Sequence, residues 1–303
     1  MQRQRLIHAI ISLLVTVFVT MSAMLNCQPS LAANDRLLFW ELQRDGSTQK
    51  LYLFGSIHLA TADVYPLRPV IMQAFAGADA LMVEVNTLAI VPQDMRQWAQ
   101  DNALLPAGKS LEDTLDADTV MQLKALCKRQ GIPYAVIRQF RPAYAATTLT
   151  NLTLQNLGYQ PDQGLDQFFI RQAGDKPVLE LESMTGQLNL MLELEDGALS
   201  LTQTLADLDQ AGQLMPAINN AYLTGNGPQL YALMRGEPVE RQPELEESFQ
   251  KLFDQRNRAM LVNIEHFAAD GKNYFIVVGA GHLLGESGLV ALMKQQGYTA
   301  TRR

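Results

Sequence analysis

Two stretches near opposite ends of this 303-residue chain share one layout, and it restricts the fold more than any other feature. Leu51-Tyr52-Leu53-Phe54 is an apolar run that meets Gly55, with His58 three residues further on. Tyr274-Phe275-Ile276-Val277-Val278 meets Gly279, and His282 again follows after three residues. Short continuous apolar runs bounded by glycine read as strands buried on both faces, the kind found in parallel sheets covered by helices. In such sheets, sites form beyond the carboxyl ends of the strands. Two histidines placed there converge only if their strands are neighbours. The spacing therefore asks for an α/β fold with the strand that starts at Leu51 beside the strand over 273–278, and the glycine before each histidine is expected to let the chain turn tightly. The chain holds only four histidines, the others being His8 and His266.

Between these junctions the chain reads as strands at the ends and helices in the middle. A strand over 37–42, the turn Arg44-Asp45-Gly46-Ser47 and the strand from Leu51 form a β-hairpin. A helix is expected over 69–78, then a short apolar strand over 80–86 with Glu84 inside it. Ser110-Leu111-Glu112-Asp113 resembles a capping box, and Asp118 with Gly131 brackets an amphipathic helix. Val120, Leu123, Leu126 and Cys127 fall on one face of that helix, which makes Cys127 a buried structural thiol. Further helices are expected over 142–157, from 165, through most of 187–269 with a break at Gly225-Asn226-Gly227-Pro228, and from 285 to 297. A strand is expected over 176–183. The sum is one domain over 34–303: a mixed central sheet flanked by helices, with a helical middle region.

The first 33 residues read as a leader. Arg3 and Arg5 precede a nearly uncharged apolar run over 6–25, and Ser30-Leu31-Ala32-Ala33 is an acceptable cleavage site. An uncleaved anchor is the alternative, because the run is nearly long enough to span a bilayer. Cys27 as a lipid-bearing cysteine fits poorly with Asn26 before it. The domain is expected to be periplasmic or secreted, and to meet a membrane only through that segment. Cleavage would leave Cys127 as a lone cysteine, so the fold stands on its core and not on disulfides. It would also leave 22 Lys+Arg against 31 Asp+Glu, about −9 in all, with no basic cluster. Such a domain suits neither nucleic acid nor an anionic membrane surface.

Chemistry concentrates in a few residues. Glu84 lies between Val83 and Val85 in a buried-type strand, where a carboxylate is costly unless paired, hydrogen-bonded or bound to metal. A half-exposed strand that leaves Glu84 in water is the plainer alternative. Glu180 reads as a polar-out residue of an edge strand, whereas Glu182, at the strand's end, fits either a surface or a site. Arg256 and Arg258 read as surface arginines of a helix, and His266 as an ordinary helix residue. Two imidazoles with one or two carboxylates form a ligand set for Mn²⁺, Co²⁺, Zn²⁺ or Fe²⁺ that leaves room for water. A bound metal would acidify that water and polarise a carbonyl, with a second carboxylate as general base and an arginine facing the developing oxyanion. The competing explanation is two loop histidines that cap strands by hydrogen bonds.

Taken in order, Leu53-Phe54-Gly55-Ser56-Ile57-His58, Val83-Glu84-Val85-Asn86, Gly164-Leu165-Asp166, Leu181-Glu182-Ser183 with Gln187, Arg256-Asn257 with Met260, and Val278-Gly279-Ala280-Gly281-His282-Leu283 with Gly285 and Gly288 resemble the TraB/GumN family. That family is related to the Tiki membrane-anchored metalloproteases. The resemblance covers essentially the whole region after the leader and implies an EreA/ChaN-like three-layer arrangement. It also implies a divalent-metal site built from two G-x-x-H motifs and an acidic residue, with peptidase activity in some members. Carried onto this sequence, it makes His58, His282 and Glu84 the metal candidates, with Glu182 a further ligand or base, Glu84 and Glu182 the catalytic carboxylates and Arg256 the electrophile. The expected partner is a peptide or small-molecule substrate. Relatives tied to haem binding supply a second expectation, a non-catalytic protein that sequesters a peptide or a haem-like ligand. A catalytically dead member is a third.

Overall fold

A computed structural model describes residues 37–194 and 200–303. The expected leader, with its cleavage site and the anchor alternative, lies outside the described residues. Among the described residues, no helix is long and apolar enough to cross a membrane.

Six strands form one mixed sheet: β1 (Phe39–Arg44), β2 (Leu51–Ser56), β3 (Ala80–Val83), β4 (Val178–Glu180), β5 (Tyr274–Gly279) and β6 (Tyr298–Arg302), in the order β4-β3-β5-β2-β1-β6. The apolar runs take the middle. β3 is buried throughout, and β5 is buried up to Gly279. Strands covered on both faces are the ones that run parallel, and β4, β3, β5 and β2 all do so. The hairpin β1–β2 is antiparallel, with Phe39 opposite Phe54, and β6 pairs antiparallel with the outer side of β1. The central expectation holds: Leu51 to Ser56 face Tyr274 to Gly279 as parallel neighbours.

Helices flank this sheet. Pro69–Gly77 (α1) buries Ile71 and Phe75, and a later helix, Leu165–Gln172, buries Phe169. Their rings meet those of the sheet: Phe169 lies 4.8 Å from Phe275 and 5.2 Å from Phe54, and Phe75 lies 5.4 Å from Phe275. Met260 and Ile264, from the helix Arg256–Ala268, belong to the same core. The helical middle packs on a second apolar cluster that includes Leu123, Leu126, Cys127, Phe140, Leu149, Leu201 and Leu205. Burial pushes the Cys127 thiol up to about 11, as befits a structural residue.

Several local expectations change. β3 stops at Val83, so Glu84 stands one residue beyond the strand and not inside it. The strand expected over 176–183 shrinks to β4. The helix Ala117–Gln130 is capped by Asp116, whose Oδ1 accepts the Thr119 N–H at 2.8 Å, so Asp118 falls inside the first turn. The capping box at Ser110 forms, but it opens a 3-10 turn, Leu111–Asp113. The last helix starts at Leu289, and β6 was not foreseen. Neither junction glycine makes a left-handed turn. Gly55 is needed for close approach: a Cβ there would lie 2.8 Å from Leu283 Cδ1 and 3.2 Å from Ala280 Cα. The end of β2 is thus packed directly against the loop that carries His282.

Candidate functional site

Strand order becomes side-chain order. Read across β4, β3, β5 and β2, the carboxyl ends deliver Glu182, Glu84, His282 and His58. The β3–β4 ladder continues past the strands, since Leu181 N–H donates to Val83 O at 2.8 Å and Glu182 N–H to Glu84 O at 2.9 Å. That continuation holds the two glutamates beside each other. Arg256 enters at the start of the helix Arg256–Ala268, directly after a π-helical segment, Gln250–Gln255. π-segments recur at functional sites because they re-aim side chains within a helix.

Glu84 is 6% exposed, and each of its oxygens is engaged. Oε1 accepts the Gly279 N–H at 2.7 Å; Oε2 accepts Gln187 Nε2 at 2.9 Å and Arg256 Nη2 at 2.8 Å. Glu182 takes Arg256 Nε on Oε1 at 2.9 Å, and Arg256 Nη2 at 2.6 Å with Gln187 Nε2 at 2.9 Å on Oε2. Arg256 Nη1 donates to Leu252 O at 3.1 Å. Four of the five guanidinium N–H groups are therefore committed within the protein. The arginine works as a clamp between two carboxylates.

Burial disfavours the charge on Glu84, but the charges of His282, His58 and Arg256 and the Gly279 N–H outweigh it and hold the carboxyl at about 2. Burial pushes His282 down to about 4, with Glu84 only partly opposing it. Near neutrality His282 is thus uncharged, and Glu84 is held ionised by His58, Arg256 and the Gly279 amide. Burial also works against the Arg256 charge, yet its hydrogen bonds and charge pairing with Glu182 and Glu84 raise it above the ordinary guanidinium value.

His58 sits at the open side, with 65% of its side chain exposed. Its Nδ1 lies 2.9 Å from Asp166 Oδ2, and Ser56 Oγ donates to Asp166 Oδ1 at 2.5 Å. The Asp166 charge raises His58 to about 9. The loop that carries His58 lies on Gly164, where a Cβ would overlap the His58 carbonyl oxygen. His282 Nδ1 lies 2.6 Å from Asn257 Oδ1, and His282 Nε2 lies 3.8 Å from Glu84 Oε1.

These donors suit a divalent cation in kind. Each histidine engages a partner through Nδ1, as metal-binding histidines do, and Glu84 Oε1 keeps one acceptor position. Two donors each ~2.1 Å from one ion at a tetrahedral angle stand about 3.4 Å apart, so the pair at 3.8 Å needs only a small closure. Among the described residues, no group of three or more His, Cys, Asp or Glu side chains forms that could hold a metal ion. The expected trio is present as the Glu84–His282 pair with His58 standing off.

The structure brings all five sequence-derived candidates to one end of the sheet. It leaves His266 exposed on its helix and Glu180 exposed at the edge strand. It adds Asp166, Asn257, Gln187 and Ser56, which sequence reasoning left without roles. Their signal was present, since Gly164-Leu165-Asp166, Gln187 and Arg256-Asn257 were among the residues that carried the family resemblance.

Residues 38–302 match the model of the TraB/PrgY/gumN family. The chain is also 28% identical over 251 residues to uncharacterized protein YbaP of Escherichia coli (strain K12), an alignment covering 80% of this chain and 87% of that protein. Uncharacterized protein YbaP of Shigella flexneri matches with the same identity and coverage. No solved structure matches.

Proposed function

The chain belongs to the TraB/PrgY/gumN family, and from that premise we propose that it is an exported divalent-metal-dependent hydrolase, with a peptide bond as the bond it cuts. The observation that carries the reading is the Glu84–His282 pair, buried side by side with His282 Nε2 3.8 Å from Glu84 Oε1. His282, Glu84 and His58 would hold the cation, whose chemistry is to acidify a water molecule and polarise the scissile carbonyl.

The protein's own groups prepare that chemistry. Arg256 keeps Glu84 ionised and fixes its Oε2, which leaves Oε1 for the cation. Glu182 receives three hydrogen bonds from Arg256 and Gln187, so its role in this reading is to hold the clamp. The fifth guanidinium N–H, on Nη1, is the donor left for substrate oxygen. His58 is open to solvent and backed by Asp166, on the side from which substrate enters.

The test is metal content and hydrolysis measured together. Protein purified without chelators should carry one Mn²⁺, Co²⁺, Zn²⁺ or Fe²⁺ per chain, and His282→Ala and Glu84→Gln should lose it. Cleavage of a peptide library should stop with EDTA and return with the metal. Wild-type protein that neither holds nor takes up any of these ions rules the reading out. A Soret band on haem titration without hydrolysis would place the chain among binding proteins instead.

A further inference from the structure

The hydrogen bonds around His282 settle which of its ring nitrogens carries the proton. Asn257 is 1% exposed, and its Nδ2 donates to Ser287 O at 2.8 Å. A carbonyl oxygen can only accept, so the amide is oriented with its nitrogen toward Ser287 and its oxygen toward His282. That oxygen also only accepts, and it lies 2.6 Å from Nδ1. The proton therefore sits on Nδ1, and in the neutral ring Nε2 is bare.

The other side of the ring agrees. Nε2 and Glu84 Oε1 are 3.8 Å apart, beyond hydrogen-bond reach. An Nε2–H would have a buried carboxylate oxygen to donate to, yet no such bond forms. Two lone-pair atoms face each other instead. The Phe253 ring, 5.2 Å from the imidazole and tilted by 54°, packs beside it.

We propose that Asn257 is a positioning residue that locks His282 in its Nδ1–H tautomer and so keeps Nε2 free as a cation ligand. The assignment rests on the hydrolase reading only for what Nε2 would bind; the tautomer stands on Asn257 and Ser287 alone. Successive residues of one helix thus divide the work, Arg256 fixing the carboxylate and Asn257 fixing the imidazole. An amide at this place differs from the carboxylate behind His58. It holds the ring without adding a negative charge next to Glu84.

Chelator-treated protein labelled with ¹⁵N-histidine tests this by NMR at neutral pH, assigned with His282→Gln. Wild type should show His282 protonated at Nδ1 and bare at Nε2. Asn257→Leu, which removes the acceptor, should shift His282 toward the Nε2–H form, whereas Asn257→Asp, which keeps an acceptor, should retain the Nδ1 proton. Titration with Zn²⁺ alone should show Asn257→Leu binding ~10–100-fold more weakly than wild type, the usual effect of losing such a partner. A wild-type His282 that is Nε2–H overturns the assignment even if Asn257→Leu fails to fold. An unchanged tautomer in a folded Asn257→Leu protein overturns it as well. A wild-type protein that shows the Nδ1–H form but binds no metal would sink the hydrolase reading and leave this one standing.

Discussion

Removing the clamp is the sharpest test of the site's electrostatics. The Arg256 side chain is 18% exposed, between the side chains of Glu84 at 7% and Glu182 at 13%. Arg256→Leu would leave two buried carboxylates without their cation. Breaking a buried ion pair from one side typically costs ~3–5 kcal/mol. The same range follows from a second route: neutralising one carboxylate of ordinary pKa at pH 7 takes about 3.4 kcal/mol, which caps the loss per stranded charge. Gly279 and Gln187 keep their hydrogen bonds to Glu84, so the total should stay near the lower figure and not double. The assay is urea denaturation followed by circular dichroism, with chelator present so that metal binding does not add its own stability. At pH 7 the variant should be ~3–5 kcal/mol less stable, a drop of roughly 6–20 °C in Tm for a domain of this size. Between pH 7 and pH 5 the gap should narrow by ~1–3 kcal/mol, because a stranded carboxylate takes its proton more easily there. Glu182→Gln in the Arg256→Leu background should restore part of the loss. A gap below about 1 kcal/mol, or one that does not change with pH, would refute the idea that Arg256 holds Glu84 ionised.

Further outcomes follow from neighbouring features. Gly164→Ala should destabilise the protein by ~1–3 kcal/mol through overpacking against the His58 carbonyl; an unchanged Tm would show that the contact gives way freely. His282 is held near 4 against an ordinary 6.5, so its native form is neutral, and it contributes stability above pH 6.5 that is lost as pH falls from 6.5 to 4. That swing is about 3.4 kcal/mol at most, and His282→Gln should flatten the urea-derived stability profile in this window when chelator is present. His58 has the opposite sign: held near 9, it contributes stability below pH 6.5 that is lost as pH rises through 9, to a degree reduced by its exposure to solvent. His58→Gln should remove that alkaline slope. Cys127, buried at 1% exposure, should resist a thiol reagent in the native state and react only on unfolding; rapid native labelling would contradict its place in the helical core.

How far the sequence reached depended on the range of the interaction. The parallel core was legible because 51–56 and 274–279 are apolar on both faces, a property each strand carries by itself. His58, His282 and Glu182 were legible because they stand at or beyond strand ends, and Glu84 because a carboxylate between Val83 and Val85 in an apolar run needs a partner. The roles of the glycines were not. Gly55 looked like a turn residue, yet it serves an approach by Ala280 and Leu283, which only the tertiary fold brings near. The Arg256 clamp was equally hidden, since nothing local separates a solvated helix arginine from one inserted between two carboxylates. Asp166 and Asn257 escaped for the same reason. Each acts on a histidine far away in sequence, and a hydrogen bond across that separation leaves no periodicity to read. β6 was missed because Tyr298 to Arg302 alternates too weakly to declare a strand until β1 offers its edge.

The position of β5 sets an order of events. It lies between β2 and β3, which are joined by little more than the histidine loop and α1, yet it is contributed by the last part of the chain. During synthesis, the earlier strands emerge with the middle of their sheet missing. The contacts that fill it span 223 residues of sequence on the β2 side and 194 on the β3 side, so they form late and slowly compared with the local contacts of the helices. Glu84 and His282 stay apart until that insertion is complete. A chain cut short before residue 274 could keep much of its helical middle and still have no site, and a nascent chain acquires its chemistry only once nearly all of it has been made.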